Sequence, residues 1–163
     1  MDKQKHKLYM AQILSLIFKD KDLCNVLGFK GGTALMFFHN LPRFSTDLDL
    51  NLLDADKLDV VYAKVRKILL RFGIIDDEAK KQFGPILVLN YGKGERMLKV
   101  EISTRQFDNH YEMRTLAGTG LNNLNEGFQT WIVHNPEAWH STYEMHNLQT
   151  CPARAEACST LFL

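Results

Sequence analysis

The sequence predicts an α/β (α+β) fold in which a small mixed sheet is flanked by helices. Two apolar, strand-like runs at residues 26–29 and 48–53 enclose a pair of glycines and a helix-like run at residues 33–38. Residues 58–72 carry apolar side chains at spacings of three and four, which indicates an amphipathic helix. A strand, a tight turn and another strand follow between residues 86 and 103. Helical and strand-like segments therefore alternate, as they do where helices pack on a sheet.

Length and composition indicate one ordinary globular domain. A chain of 163 residues is long enough for a core, since it buries roughly 70% of its unfolded surface. The net charge of +1 provides no overall basic field that would indicate a nucleic-acid partner. Cys24, Cys151 and Cys158 lie far apart and lack a metal-binding spacing.

The N-terminal segment predicts an amphipathic helix packed on the domain. Leu8, Ile13, Leu14 and Ile17 roughly follow helical spacing. The apolar run at residues 8–18 is too short to span a membrane, and no small-residue cleavage site follows it. We therefore expect a cytoplasmic protein that does not associate with a membrane.

Gly31 and Gly32 stand between the first predicted strand and the helix after it. Backbone N–H groups at the start of a helix are unpaired and carry partial positive charge, so they suit a phosphate group. Glycine lets the backbone come close to a ligand and adopt positive φ. We expect Thr33 either to cap the helix or to turn its hydroxyl to the same anion.

Asp47 and Asp49 open the second predicted strand. Side chains on a strand repeat every two residues, so the two aspartates point to one face, roughly 7 Å apart at the backbone. Carboxylates that converge to about 4 Å repel by roughly 4 kcal/mol at an effective dielectric near 20. Either one of them takes up a proton or a cation lies between them, and hard oxygen ligands favour Mg²⁺.

Two motifs around these residues resemble the AbiEii/AbiGii toxin family. They are Lys30-Gly31-Gly32-Thr33-Ala34-Leu35 and Arg43-x-Ser45-x-Asp47-x-Asp49. The resemblance implies a minimal polymerase-β-like nucleotidyltransferase core over residues 1–116. It implies that the glycine motif, with Lys30 and Thr33, binds the triphosphate of a nucleoside triphosphate. Arg43 and Ser45 would neutralise phosphate or hold the loop that carries the aspartates, and the Asp-x-Asp pair would bind Mg²⁺.

Glu101 is the candidate for a third carboxylate. In residues 98–102 the apolar side chains share one strand face, while Lys99 and Glu101 share the other. Polymerase-β-like enzymes commonly bring a further acidic residue from such a strand beside the Asp-x-Asp pair. The resemblance thus gives Glu101 the role of metal ligand or of the base that activates the acceptor hydroxyl. An ordinary solvent-facing glutamate remains the alternative.

Two segments lack a clear pattern. Residues 75–82 are polar and predict a loop or a short helix. Residues 117–163 show no sustained period, and the late lysine and aspartate motifs of the AbiEii-like family do not occur, since no lysine follows Lys99 and no aspartate follows Asp108. We interpret residues 117–163 as a divergent or truncated C-terminal tail, produced either by divergence of a helical extension or by a frameshift after about Thr119.

The resemblance implies a Mg²⁺-dependent nucleotidyltransferase toxin of an abortive-infection or toxin–antitoxin system. Its substrates would be a nucleoside triphosphate and a hydroxyl of tRNA or protein, and a cognate antitoxin would be its partner. The alternative is a catalytically impaired remnant that binds only nucleotide and metal. A third interpretation is a protein-interaction domain that uses Phe128, Trp131 and Trp139.

Overall fold

A computed structural model of the protein describes residues 2–105, 109–116 and 128–134. Within these residues the chain forms, in order, α1 (Lys3–Lys19), β1 (Leu27–Lys30), α2 (Gly31–Phe38), β2 (Leu48–Leu52), a 3₁₀ turn (Ala55–Lys57), α3 (Leu58–Leu69), β3 (Ile74–Lys81), β4 (Gly84–Asn90), β5 (Leu98–Ser103), β6 (His110–Leu116) and β7 (Phe128–His134).

The strands form one mixed sheet in the order β3-β4-β5-β2-β1-β7-β6. β1 runs antiparallel to β2, whereas β2 is parallel to β5 and β1 is parallel to β7. Helices on a mixed sheet confirm the predicted α/β class. The strands that carry the motif residues, β1, β2 and β5, are neighbours in the middle of the sheet.

The core lies between the central strands and the helices α1 and α3, which contact each other. On β5 the apolar residues Leu98, Val100 and Ile102 are fully buried, whereas Lys99 and Glu101 remain partly exposed. The predicted division of this strand into two faces is therefore confirmed. On β2 and β5, one strand face contributes to the core, and the other face carries the polar residues Asp49, Asn51, Lys99 and Glu101.

Most predicted elements occur where the sequence indicates them. α1 begins before the predicted 8–18 helix because the Asp2 carboxylate caps it, accepting hydrogen bonds from the main-chain N–H groups of Gln4 and Lys5. α3 ends at Leu69, three residues before the predicted end. The tight turn before β5 is also present, since the N–H of Glu95 donates to the carbonyl of Gly92 at 3.2 Å.

The prediction of a loop or short helix at residues 75–82 is wrong. Ile74–Lys81 forms the edge strand β3, which pairs antiparallel with β4. Most of its side chains are exposed, so the strand lacks the alternation of apolar and polar residues that reveals a half-buried strand. Tertiary contacts hold it instead: the Glu78 carboxylate accepts hydrogen bonds from the Tyr62 hydroxyl and from Arg66, both on α3 and each at 3.0 Å.

β7 lies beyond the boundary at residue 116 that the sequence indicates, and that boundary stays a prediction. Phe128 packs on Phe18 of α1 with ring centroids 6.1 Å apart. Phe128 and Trp131 are both buried, so they do not offer a surface to a partner, and Trp139 lies outside the described residues. Because residues 130–133 of β7 are buried on both faces, the strand lacks the apolar–polar alternation that would have predicted it.

None of the helices in the described residues is long and apolar enough to cross a membrane.

Candidate active site

Three predicted site residues form one row across the central strands. Register pairs Lys30 of β1 with Asp49 of β2, and Asp49 with Glu101 of β5. Directly paired residues in a sheet project to the same face, so the three side chains lie next to one another. Glu101 thus lies beside the Asp-x-Asp pair, where the sequence predicts a third carboxylate. We call Asp47, Asp49 and Glu101 the acidic trio; their catalytic and metal-binding roles remain predictions.

The glycine turn, Gly31 and Gly32, lies directly against the acidic trio. Gly31 has φ of +78°, and a Cβ atom there would lie 2.3 Å from Oδ2 of Asp49. Only glycine allows both this backbone conformation and this close approach. Since α2 begins at Gly31, the unpaired N–H groups of its first turn lie next to the carboxylates.

Thr33 connects the glycine turn to the loop that carries the aspartates. It is the third residue of α2 and fully buried, and its hydroxyl donates to the main-chain carbonyl of Asp47. The same hydroxyl lies 2.9 Å from Oγ of Ser45. The expectation that Thr33 caps the helix is wrong, because Lys30 occupies the N-cap position and Thr33 is inside the helix. Thr33 instead fixes the start of β2 relative to α2.

Arg43 and Ser45 lie over the second glycine. A Cβ atom at Gly32 would be 3.0 Å from Oγ of Ser45 and 3.5 Å from Nη2 of Arg43. The Arg43 guanidinium therefore lies beside the first turn of α2. A guanidinium at this position and the unpaired N–H groups of the helix would attract the same anion.

The surroundings of the Asp49 carboxylate raise its pKa. Burial raises its pKa above the usual value, Lys99 opposes that change, and the charges of Glu101 and Asp47 raise the pKa further. Lys30 lowers it by a smaller amount. A carboxylate with a raised pKa next to two other carboxylates favours a nearby cation.

Lys30 is held by a residue that the sequence analysis did not single out. Its Nζ donates to Oδ1 of Asn51 at 3.1 Å, and Asn51 is only 1% exposed. Burial lowers the pKa of Lys30, although Asp49 and Glu101 oppose this change. The sequence could have indicated Asn51, because on a strand it lies two residues after Asp49 and therefore on the same face of β2.

Lys99 is the second residue of the site that sequence reasoning missed. Its Nζ lies 3.5 Å from Oδ2 of Asp47 and 3.6 Å from Oε2 of Glu101. Burial lowers its pKa, but Asp47, Asp49 and Glu101 outweigh burial, so the pKa lies above the usual value. Lys99 therefore stays protonated, and its ammonium compensates part of the negative charge of the trio.

His6 of α1 supports the aspartate loop from the other side. It is fully buried, with Nε2 2.9 Å from the carbonyl of Thr46 and Nδ1 in contact with the Tyr91 hydroxyl. Because a carbonyl only accepts, Nε2 carries a hydrogen. Nothing in the sequence indicated this role, since His6 lies in a lysine-rich segment whose side chains are expected to face solvent.

The donor set of the trio suits a hard divalent cation such as Mg²⁺, since all its ligands are carboxylate oxygens. In the parts of the chain that the structure describes, no three His, Cys, Asp or Glu side chains converge into a ready-made metal centre. The carboxylates fit the ion by their chemistry and by the negative charge that they accumulate. Coordination would require them to move closer together.

The chain matches a family of nucleotidyl transferases. Residues 12–128 match the model of the AbiEii nucleotidyl transferase toxin of type IV toxin–antitoxin systems. This match covers well over half of the chain, so the chain belongs to the AbiEii family. The resemblance drawn from the glycine and aspartate motifs is confirmed.

One solved structure similar to this chain is MenT4, a nucleotidyltransferase toxin from Mycobacterium tuberculosis H37Rv. The two sequences are 24% identical, and the similarity covers 64% of this chain with a TM-score of 0.46. This chain spans only 38% of the length of MenT4. No protein with curated annotation matches the sequence.

Proposed function

We propose that this chain is a Mg²⁺-dependent nucleotidyltransferase that transfers a nucleotidyl group from a nucleoside triphosphate to an acceptor hydroxyl. The observation that carries the proposal is the close contact between a helix N-terminus and the acidic trio, at Gly31 and Asp49. A triphosphate bound at the N-terminus would lie next to the carboxylates that hold its metal ion. Family membership supports the same reaction.

The glycine turn and its neighbours would bind the triphosphate. N–H groups at the first turn of α2 would donate to phosphate oxygens, and the lack of a side chain at Gly31 lets the Asp49 carboxylate lie directly against this turn. Arg43 beside Gly32 and Lys30 at the N-cap position add positive charge. The Thr33 hydroxyl donates to the carbonyl of Asp47 and keeps the aspartate loop against this cradle. Ser45 Oγ lies 2.9 Å from the Thr33 hydroxyl and would either hold the same loop or contact a phosphate.

Asp47, Asp49 and Glu101 would hold Mg²⁺. The ion would supply charge neutralisation at the reacting phosphate and at the leaving pyrophosphate. The protein contributes position: β2 and β5 keep Asp49 and Glu101 in register, so the two carboxylates stay side by side on one face of the sheet.

Glu101 fits a second role, that of the base for the acceptor. Its side chain is 36% exposed, so an acceptor hydroxyl can reach its carboxylate and transfer a proton to it. A Mg²⁺ titration of Glu101→Gln separates the two roles. Loss of a base lowers turnover even at saturating Mg²⁺, whereas loss of a metal ligand raises the Mg²⁺ concentration that turnover requires.

The acceptor would be tRNA or a protein hydroxyl, and the reaction would make the chain the toxin of an abortive-infection or toxin–antitoxin system. The family supports a toxin with a cognate antitoxin partner and a nucleoside triphosphate substrate. The cytoplasm is the compartment in which both acceptors and the nucleotide are available.

A second candidate function is that of a remnant that binds nucleotide and metal but transfers nothing. It is kept as a candidate because residues 109–163 contain no lysine or aspartate with which to form the late motifs that the family resemblance implies. Binding alone cannot distinguish the two candidates, whereas turnover can.

Transfer of label tests the proposal. Wild-type protein is incubated with Mg²⁺, each of four α-³²P nucleoside triphosphates, tRNA and cell protein. Asp47→Asn should abolish transfer. Asp59→Asn is the matched control, because Asp59 is 92% exposed on α3 and outside the site. Nucleotide binding without any transfer by folded protein would support the remnant instead.

A further inference from the structure

Lys99 lies among the carboxylates that a metal ion would need. Lys99 and Glu101 share one face of β5, and Glu101 is paired with Asp49. The Lys99 ammonium is 3.5 Å from Asp47 and 3.6 Å from Glu101, so it contacts one carboxylate on the loop before β2 and another on β5.

We infer that Lys99 is an internal counter-ion that competes with the divalent cation for Asp47 and Glu101, so that metal loading requires its ammonium to move away. The inference rests on the proposed function, because it takes the acidic trio as the metal-binding group. Before loading, Lys99 compensates the charge of the carboxylates and keeps them in place. On loading, the metal ion replaces it.

The contacts of Lys99 are those of a displaceable charge. Their lengths of 3.5 and 3.6 Å exceed the roughly 2.7–2.9 Å of tight charge-assisted hydrogen bonds. The side chain is 38% exposed and ends a flexible four-carbon stem, so the ammonium can turn to solvent without repacking the core.

A competing counter-ion makes a prediction that a purely structural lysine does not: its removal strengthens metal binding. Lys99→Met keeps an unbranched apolar stem of four heavy atoms but removes the ammonium, and Lys99→Arg keeps the charge. Lys64→Met is the matched control, because the Lys64 ammonium also lies between two carboxylates, those of Asp20 and Asp22, and is similarly exposed at 32%.

Binding of Mn²⁺ is measured by the loss of the free-ion electron paramagnetic resonance signal, and the Tm is recorded with and without Mg²⁺. We expect Lys99→Met to bind Mn²⁺ about tenfold more tightly than wild type, equal to about 1.4 kcal/mol. The rise in Tm on adding Mg²⁺ should also be larger. Lys99→Arg and Lys64→Met should behave like wild type. Lys99→Gln repeats the test if Lys99→Met folds poorly.

The outcomes separate this inference from the proposed function. If wild type binds Mn²⁺, Asp47→Asn abolishes binding and Lys99→Met gains nothing, the inference is overturned and the proposed function stands. An equal gain in Lys64→Met also overturns it, because any released pair of carboxylates would then bind the ion. If neither wild type nor Lys99→Met binds a divalent cation, the metal role of the trio fails together with the inference.

Discussion

Replacement of Gly31 by alanine should lower both the stability of the fold and its activity, for two different physical reasons. At φ of +78° an alanine costs about 1–2 kcal/mol relative to an ordinary backbone conformation. For a chain of this size that corresponds to a decrease in Tm of about 2–8 °C. The added Cβ would also lie 2.3 Å from Oδ2 of Asp49, so the Asp49 carboxylate must move. A displacement of about 1 Å at a reacting centre can lower turnover about 100-fold.

Gly94→Ala is the control for this prediction. Gly94 has φ of +81°, and a Cβ atom there would meet nothing within 4 Å. Both variants should therefore lose similar stability in thermal unfolding, while only Gly31→Ala should lose Mn²⁺ binding and label transfer. The reasoning is refuted if Gly31→Ala retains both at the level of Gly94→Ala, because the contact with Asp49 would then have no functional consequence.

Two other predictions concern stability. Asp49→Asn should raise the Tm at neutral pH. Burial is the chief cause that raises the pKa of Asp49 in the folded protein above its unfolded value near 3.8. The aspartate therefore favours the fold at low pH, and this contribution to stability is lost as the pH rises through the folded pKa. The Tm difference between the variant and wild type, measured across that range, should shrink at low pH; a constant difference would contradict the assignment. Thr33→Val should lower the free energy of unfolding in urea by about 1–3 kcal/mol, because the carbonyl of Asp47 loses its hydrogen-bond donor. Thr33→Ser keeps the hydroxyl and should lower it less. Equal losses would show that the methyl group matters and the hydrogen bond does not.

Local sequence patterns predicted the elements that have one buried face. α3 and β5 each bury a single side, so the periods of 3.6 and 2 are visible in the sequence. β3 and β7 do not have one buried face: most side chains of β3 are exposed, whereas residues 130–133 of β7 are buried on both faces. β3 is a strand because it pairs with β4, and β7 is a strand because it pairs with β1. A local sequence pattern does not show such pairing.

The candidate site follows the same rule. The glycine and aspartate motifs are local, and strand periodicity indicated the face of Glu101. Asn51, Lys99 and His6 act on motif residues through contacts that depend on cross-strand register or on a helix packed from a distant part of the sequence. A reader of the sequence could have found Asn51 and Lys99 by extending the period of two from Asp49 and Glu101. His6 required the fold.

These long-range contacts explain how the Asp47 carboxylate can be placed before any ligand binds. Two consecutive main-chain carbonyls on the loop each accept a hydrogen bond from a buried side chain: that of Thr46 from His6 on α1, and that of Asp47 from Thr33 on α2. Both bonds hold the backbone and leave the carboxylate of Asp47 available to a cation. Since two separate helices fix the loop, neither Lys99 nor a metal ion has to fold it. The exchange of one cation for the other can therefore occur at a carboxylate whose backbone stays in position.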